Sequence, residues 1–161
     1  SGLSTPILSM NHFPIVAAVI IDSELLVANV GDSRAYLYRN FQIKQLTEDH
    51  TLVQELVKSG EITEEEAKRH PQRNIVTQSL GITLNVQIDF VRVTLKNEDT
   101  ILLCSDGLSN MLEDQYIKEI LGNYSDVNTQ AQKAVLAANE AGGRDNITVA
   151  IAKYLVREEV A

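Results

Sequence analysis

At 161 residues, 44% hydrophobic and 22% charged, the chain fits one domain large enough to bury a real core. Its formal charge of −8 argues against nucleic acid or an acidic membrane surface as a partner. No apolar run approaches the roughly 18 residues that span a bilayer, and the start does not read as a secretory signal. The single cysteine, Cys104, has no internal partner and sits in an apolar stretch. It reads as a buried structural thiol, and the chain as cytoplasmic.

In chain order, residues 1–14 are irregular, broken by Pro6 and Pro14. His12 in that segment reads as a solvent-facing histidine of a loose terminus. Residues 15–46 read as a β-meander: Ile15 to Ile21, Leu25 to Val30, Ala35 to Arg39 and Gln42 to Leu46, with turns at Asp22-Ser23, Gly31-Asp32-Ser33 and Asn40. Strands joined by such short turns are expected to pair antiparallel. Asp49 to Gly60 follows as a helix, with Leu52, Val53, Leu56 and Val57 on one stripe, Asp49 as N-cap and Gly60 as stop. Thr63-Glu64-Glu65-Glu66 is a capping box opening a short, solvated helix that ends before Pro71. His50 and His70 lack the partners of a zinc site and read as structural or capping residues.

The alternation from Val86 to Leu95 predicts a strand, and Lys96-Asn97-Glu98-Asp99 a polar turn. Next, Ile101-Leu102-Leu103-Cys104 reads as a strand buried on both faces, leading into Ser105-Asp106-Gly107. Helices follow at Glu113 to Leu121 and Thr129 to Ala141, the second alanine-rich and ended by Gly142-Gly143. Asn146 to Leu155 is the closing strand, preceded by Asp145. Strands early, long helices late and no β-α-β alternation make the class α+β.

Asp106 leaves one strand and Asp145 enters another thirty-nine positions later. If those strands lie side by side, the two carboxylates converge at one sheet end. Paired oxygen donors suit a hard divalent cation. Asp beside Gly also caps its own turn, so either residue alone would say little. Asp32, accepting backbone N–H bonds and paired with Arg34, reads as a structural turn residue outside any metal shell.

Five stretches together carry more: Gly31-Asp32-Ser33-Arg34-Ala35, Thr47-Glu48-Asp49-His50, His70-Pro71-Gln72-Arg73-Asn74, Ser105-Asp106-Gly107-Leu108-Ser109-Asn110 and Gly142-Gly143-Arg144-Asp145-Asn146. From about residue 15 onward the sequence resembles the metal-dependent protein phosphatases of type 2C, in their bacterial serine/threonine branch. The resemblance implies an antiparallel β-sandwich flanked by helices in four layers (α-β-β-α), with its N-terminal part missing. Residues 15–161 would be a partial catalytic domain, with a flap-like insertion over about 49–81 that puts Arg69 or Arg73 within reach of substrate. It also implies hydrolysis of phosphoserine and phosphothreonine by a water held between two Mn2+ or Mg2+ ions. Asp106 and Asp145 would be ligands of one ion. Phosphorylated proteins would be the substrates, with a serine/threonine kinase or its targets as partners.

The same resemblance exposes a gap. The Asp-Gly-Met-Gly-Gly-His motif that supplies the other ion's ligands and a candidate general acid does not occur in this sequence. Nor does the earlier Arg-x-x-Asn-x-Asp stretch that grips phosphate, and Asn11-His12-Phe13-Pro14 stands where Gly-Thr-Thr opens the strand in relatives. The start at Ser1-Gly2 points to a truncated or processed chain, and the 161 residues alone are expected to be inactive. The competing expectation is a non-catalytic phosphatase-like module that binds a metal or a partner.

Overall fold

The computed structural model describes residues 13–78 and 86–157. His12 lies outside them, and the strand expected from Val86 begins at Asp89. Seven strands and five helices follow in order: β1 Ile15–Ile21, β2 Glu24–Val30, β3 Arg34–Arg39, β4 Gln42–Gln45, α1 Leu52–Lys58, α2 Glu64–Arg69, β5 Asp89–Thr94, β6 Thr100–Cys104, α3 Asp106–Ser109, α4 Asp114–Asn123, α5 Val127–Glu140 and β7 Val149–Lys153. The strands form two antiparallel sheets, one ordered β1-β2-β5 and the other β4-β3-β6-β7. The class is α+β, as expected.

Period-2 alternation explains why the middle strands are apolar throughout. In β3, Ala35 and Leu37 face the other sheet and, with Ile101 of the neighbouring β6, pack on Leu25, Val27 and Leu95. Tyr36, between them, points the other way with Leu102 and Cys104, into a second core with Leu108, Leu112, Ile117, Ile120, Leu121, Ala134 and Ala138 of the helical layer. A four-stranded sheet covered on both sides therefore needs no polar face, which is why β6 reads as a continuous hydrophobic run. Burial also pushes the Cys104 thiol up to about 12, so it is inert as a nucleophile.

Two connections depart from the meander. β2 and β3 are consecutive but do not pair; the chain leaves the three-stranded sheet at Val30 and enters the other at Arg34. Gly31, at φ +102°, permits that sharp exit, and a Cβ there would lie 2.7 Å from the Pro14 Cβ. The chain returns to the three-stranded sheet as β5 and crosses to the four-stranded sheet again between β5 and β6. That turn is held by Asp99, whose carboxylate takes Nε and Nη2 of Arg39 at 2.8 and 2.6 Å and the Lys96 N–H at 2.7 Å.

The helices largely obey their caps. Thr63 and Glu66 form the reciprocal capping box of α2, and His70 closes that helix while accepting the Gln72 N–H on Nδ1. The expected N-cap at Asp49 is displaced: Thr51 caps α1, because Asp49 is committed to Arg34. Asp126 caps α5, a signal present in the sequence as Asp126-Val127-Asn128-Thr129. Helices α3, α4 and α5 pack on the four-stranded sheet. The outer face of the three-stranded sheet carries no helix among the described residues, and Ile15, Val19, Ile21 and Phe90 are exposed there.

Candidate active site

β6 and β7 are antiparallel neighbours, with Cys104 opposite Val149, so Asp106 and Asp145 come to the same end of the four-stranded sheet. Just past the strand ends the two chains remain tied. The Ser105 N–H donates to the Thr148 carbonyl at 3.0 Å, and the Ser105 hydroxyl accepts from the Thr148 N–H at 3.0 Å while donating to the Asn146 carbonyl at 3.1 Å. Gly107 is required by this approach, since a Cβ would sit 2.2 Å from the Asn146 oxygen. Asp106 opens α3, and Asp145 accepts the N–H of Asn146 at 2.7 Å. Burial raises the Asp106 carboxyl above its ordinary range, and the negative charge of Asp145 raises it further.

A third acid, Asp32, stands at the same corner. It is buried at the sheet crossover, two residues before Arg34, and the Arg34–Cys104 pairing brings it to the same sheet end as Asp106. Burial first, then the charges of Asp106 and Asp49, push it up to about 6. The Asp32–Arg34 pair expected from the sequence does not form a hydrogen bond. Arg34 instead forks onto Asp49, with Nε to Oδ1 at 2.9 Å and Nη2 to Oδ2 at 2.7 Å. Burial alone would weaken the Arg34 charge; the fork and the Tyr36 hydroxyl, 3.0 Å from Nη1, raise its pKa on balance.

Two motifs that are separate in sequence thus interlock. Residues 47–50 grip the stretch 29–35 at Asn29, Gly31, Arg34 and Ala35. The Glu48 carbonyl accepts from Asn29 Nδ2 at 3.0 Å, and the Thr47 hydroxyl accepts the Ala35 N–H at 3.1 Å. The His50 N–H donates to the Gly31 carbonyl at 2.9 Å, and the Gly31 N–H donates back to His50 Nδ1 at 3.1 Å. The signal was present in the strings Gly-Asp-Ser-Arg and Thr-Glu-Asp-His, but only the sheet crossover brings them face to face.

The donor set fits one hard cation: oxygen ligands only, and mutual repulsion between Asp106 and Asp145 that a positive ion would relieve. Among the described residues no three His, Cys, Asp or Glu side chains form a metal-holding group. No helix among the described residues is long and apolar enough to cross a membrane.

A profile of the family described as "Protein phosphatase 2C" matches residues 15–56. The serine/threonine phosphatase stp of Listeria monocytogenes is 46% identical over 135 residues, covering 84% of this chain and 54% of the relative. Among solved structures, the Streptococcus agalactiae serine/threonine phosphatase superposes with a TM-score of 0.83 at 41% identity, over 89% of this chain and 59% of that one. The catalytic domain of PstP, solved in complex with two manganese ions, does so with a TM-score of 0.78 at 33% identity, over 89% and 59%. The chain spans about half the length of the curated relatives it matches. With fold, motif order and sequence in agreement, this chain belongs to the protein phosphatase 2C family, of whose catalytic domain it spans a part.

Proposed function

We propose that this chain is the greater part of a divalent-metal serine/threonine phosphatase that acts on phosphorylated proteins, and that Asp106 and Asp145 hold one Mn2+ or Mg2+ ion. The observation that carries the reading is the antiparallel β6–β7 pairing, which brings Asp106 and Asp145 to one sheet end where the charge of one acts on the other. When bound, such an ion polarises a phosphoryl oxygen and acidifies coordinated water. The chain's own residues bind and orient. Ser105 bridges the two loops that carry the acids, and Gly107 lets them approach. The manganese in the PstP complex supports a divalent ion. The segment around residues 49–81 is assigned as a flap beside the cleft, with Arg69 or Arg73 near substrate. We place the protein in the cytoplasm, with a serine/threonine kinase or its targets as partners.

Two acids make half a two-ion site, so the 161 residues alone are assigned no turnover. The bare apolar face along β1 favours one alternative, a non-catalytic module that binds one ion and a protein partner. Titration with Mn2+ tests the metal reading. Weak binding is expected, abolished by Asp106→Asn or Asp145→Asn. Wild-type affinity in both variants would place the ion elsewhere.

A further inference from the structure

His50 is 8% exposed and bonded on both ring nitrogens. Nδ1 accepts the Gly31 N–H, so it carries no proton, and the ring hydrogen is on Nε2, which donates to Asp89 Oδ2 at 2.7 Å. The backbone of His50 adds two more ties. Its N–H goes to the Gly31 carbonyl at 2.9 Å, and its carbonyl takes the Thr77 N–H at 2.8 Å. Residue 50 therefore holds both backbone groups of Gly31. Asp89 is on β5, in the other sheet's register opposite Asn29, so the tie spans the place where the chain changes sheets. Three positions on, the Arg34–Asp49 fork fixes the far side of the same turn. Asp32 lies between the two anchors, and the Arg34–Cys104 pairing places it beside Asp106, whose charge acts on it.

We propose that His50 is a positioning residue for the metal corner: its neutral ring, oriented by Asp89, fixes the Gly31–Asp32 turn so that Asp32 stays seated against Asp106. On the Gly31 side of the turn, His50 supplies the bonds to both backbone groups. Gly31 has no side chain, and its φ of +102° is a conformation that glycine adopts without needing it. The second partner of the histidine sets which nitrogen faces the turn, the same logic by which outer groups fix imidazoles at metal centres. This inference rests on the reading of Asp106 as a metal ligand.

The two ring bonds can be separated. In His50→Asn, the side-chain oxygen takes the place of Nδ1 and still accepts the Gly31 N–H, but nothing reaches Asp89. His50→Gln reaches toward Asp89 and lacks the near acceptor. The measurements are hydrogen exchange of the Gly31 amide and Mn2+ affinity, both on the full 161-residue chain. His50→Gln should lose Gly31 protection and bind Mn2+ about ten-fold more weakly. His50→Asn should keep protection and most of the affinity. Asp89→Ala removes a half-exposed side chain and leaves His50 in place; it should weaken Mn2+ binding by a smaller factor, and it covers the case where His50→Gln does not fold. A purely structural histidine would lower the stability of the Asn and Gln variants alike. Equal Mn2+ affinities in wild type and His50→Gln, or equal losses in Asn and Gln, would overturn the proposal, as would an Asp89→Ala chain indistinguishable from wild type. A wild type that binds no Mn2+ would fail the metal reading first and take this inference down with it.

Discussion

Asp99 shows how a single carboxylate organises a crossover. Its side chain is 1% exposed, yet it meets a two-pronged Arg39 and the N–H of Lys96. Burial pushes its carboxyl up, but these bonds outweigh burial and hold it below the ordinary carboxylate range. A folded value below the unfolded one means the contribution is complete above the unfolded value, near about pH 4, and is lost as the pH falls through the lower folded value. The acid limb of a stability curve should therefore flatten in Asp99→Asn. Arg39→Ala, which leaves the buried charge unpaired, should cost about 2–3 kcal/mol at neutral pH, discounted for the partial exposure of Arg39. An Arg39→Ala chain as stable as wild type would show that water reaches Asp99. Asp32 makes the complementary point about legibility. Its acid was plain in the sequence, but its partner was not: a neighbouring Arg34 looked sufficient until the crossover gave that arginine to Asp49.

Among elements, the β3–β4 hairpin carries a visible local conflict. Its two-residue loop puts Asn40 at φ +49° and Phe41 at φ +60°, the signature of a turn that favours asparagine and then glycine. Phe41 is also 77% exposed, so its ring recovers little by packing. Phe41→Gly should raise stability by about 1 kcal/mol, read as a higher midpoint in urea. A fall of similar size would mean that the ring packs in solution. The capping box of α2 gives the opposite expectation: Thr63→Ala should lose roughly 1 kcal/mol of that helix's stability, seen as faster exchange of its first amides. Elements such as these were legible, because caps, glycine stops and periodicity are local. Pairing was not. Short turns at 31–33 and 96–99 suggested hairpins, but each changes sheet, and only the packing of Ala35, Leu37 and Ile101 against Leu25 and Val27 shows why.

At the scale of the whole molecule, the two sheets differ in how they are covered. The four-stranded sheet has the other sheet on one side and α3, α4 and α5 on the other. The outer face of the three-stranded sheet presents Ile15, Val19, Ile21 and Phe90 to solvent, and β1 is an open edge without a charge. Such a face binds hydrophobic dyes and promotes association. The chain is expected to enhance ANS fluorescence and to sediment above monomer mass, and Val19→Lys with Phe90→Lys should suppress both. A clean, ANS-silent monomer would mean the face is covered in solution. The same one-sidedness governs function. The acids that the fold brings together are those at the covered sheet's end, and on the proposed reading Asp106 and Asp145 hold one ion. Turnover of a phosphothreonine peptide by the 161-residue chain, with manganese present and Asp106→Ala and Asp145→Ala as controls, tests this most directly. The expected result is no rate above the two variants, while Mn2+ still binds the wild type. Manganese-dependent turnover that both substitutions abolish would show that the site is whole and contradict the half-site account.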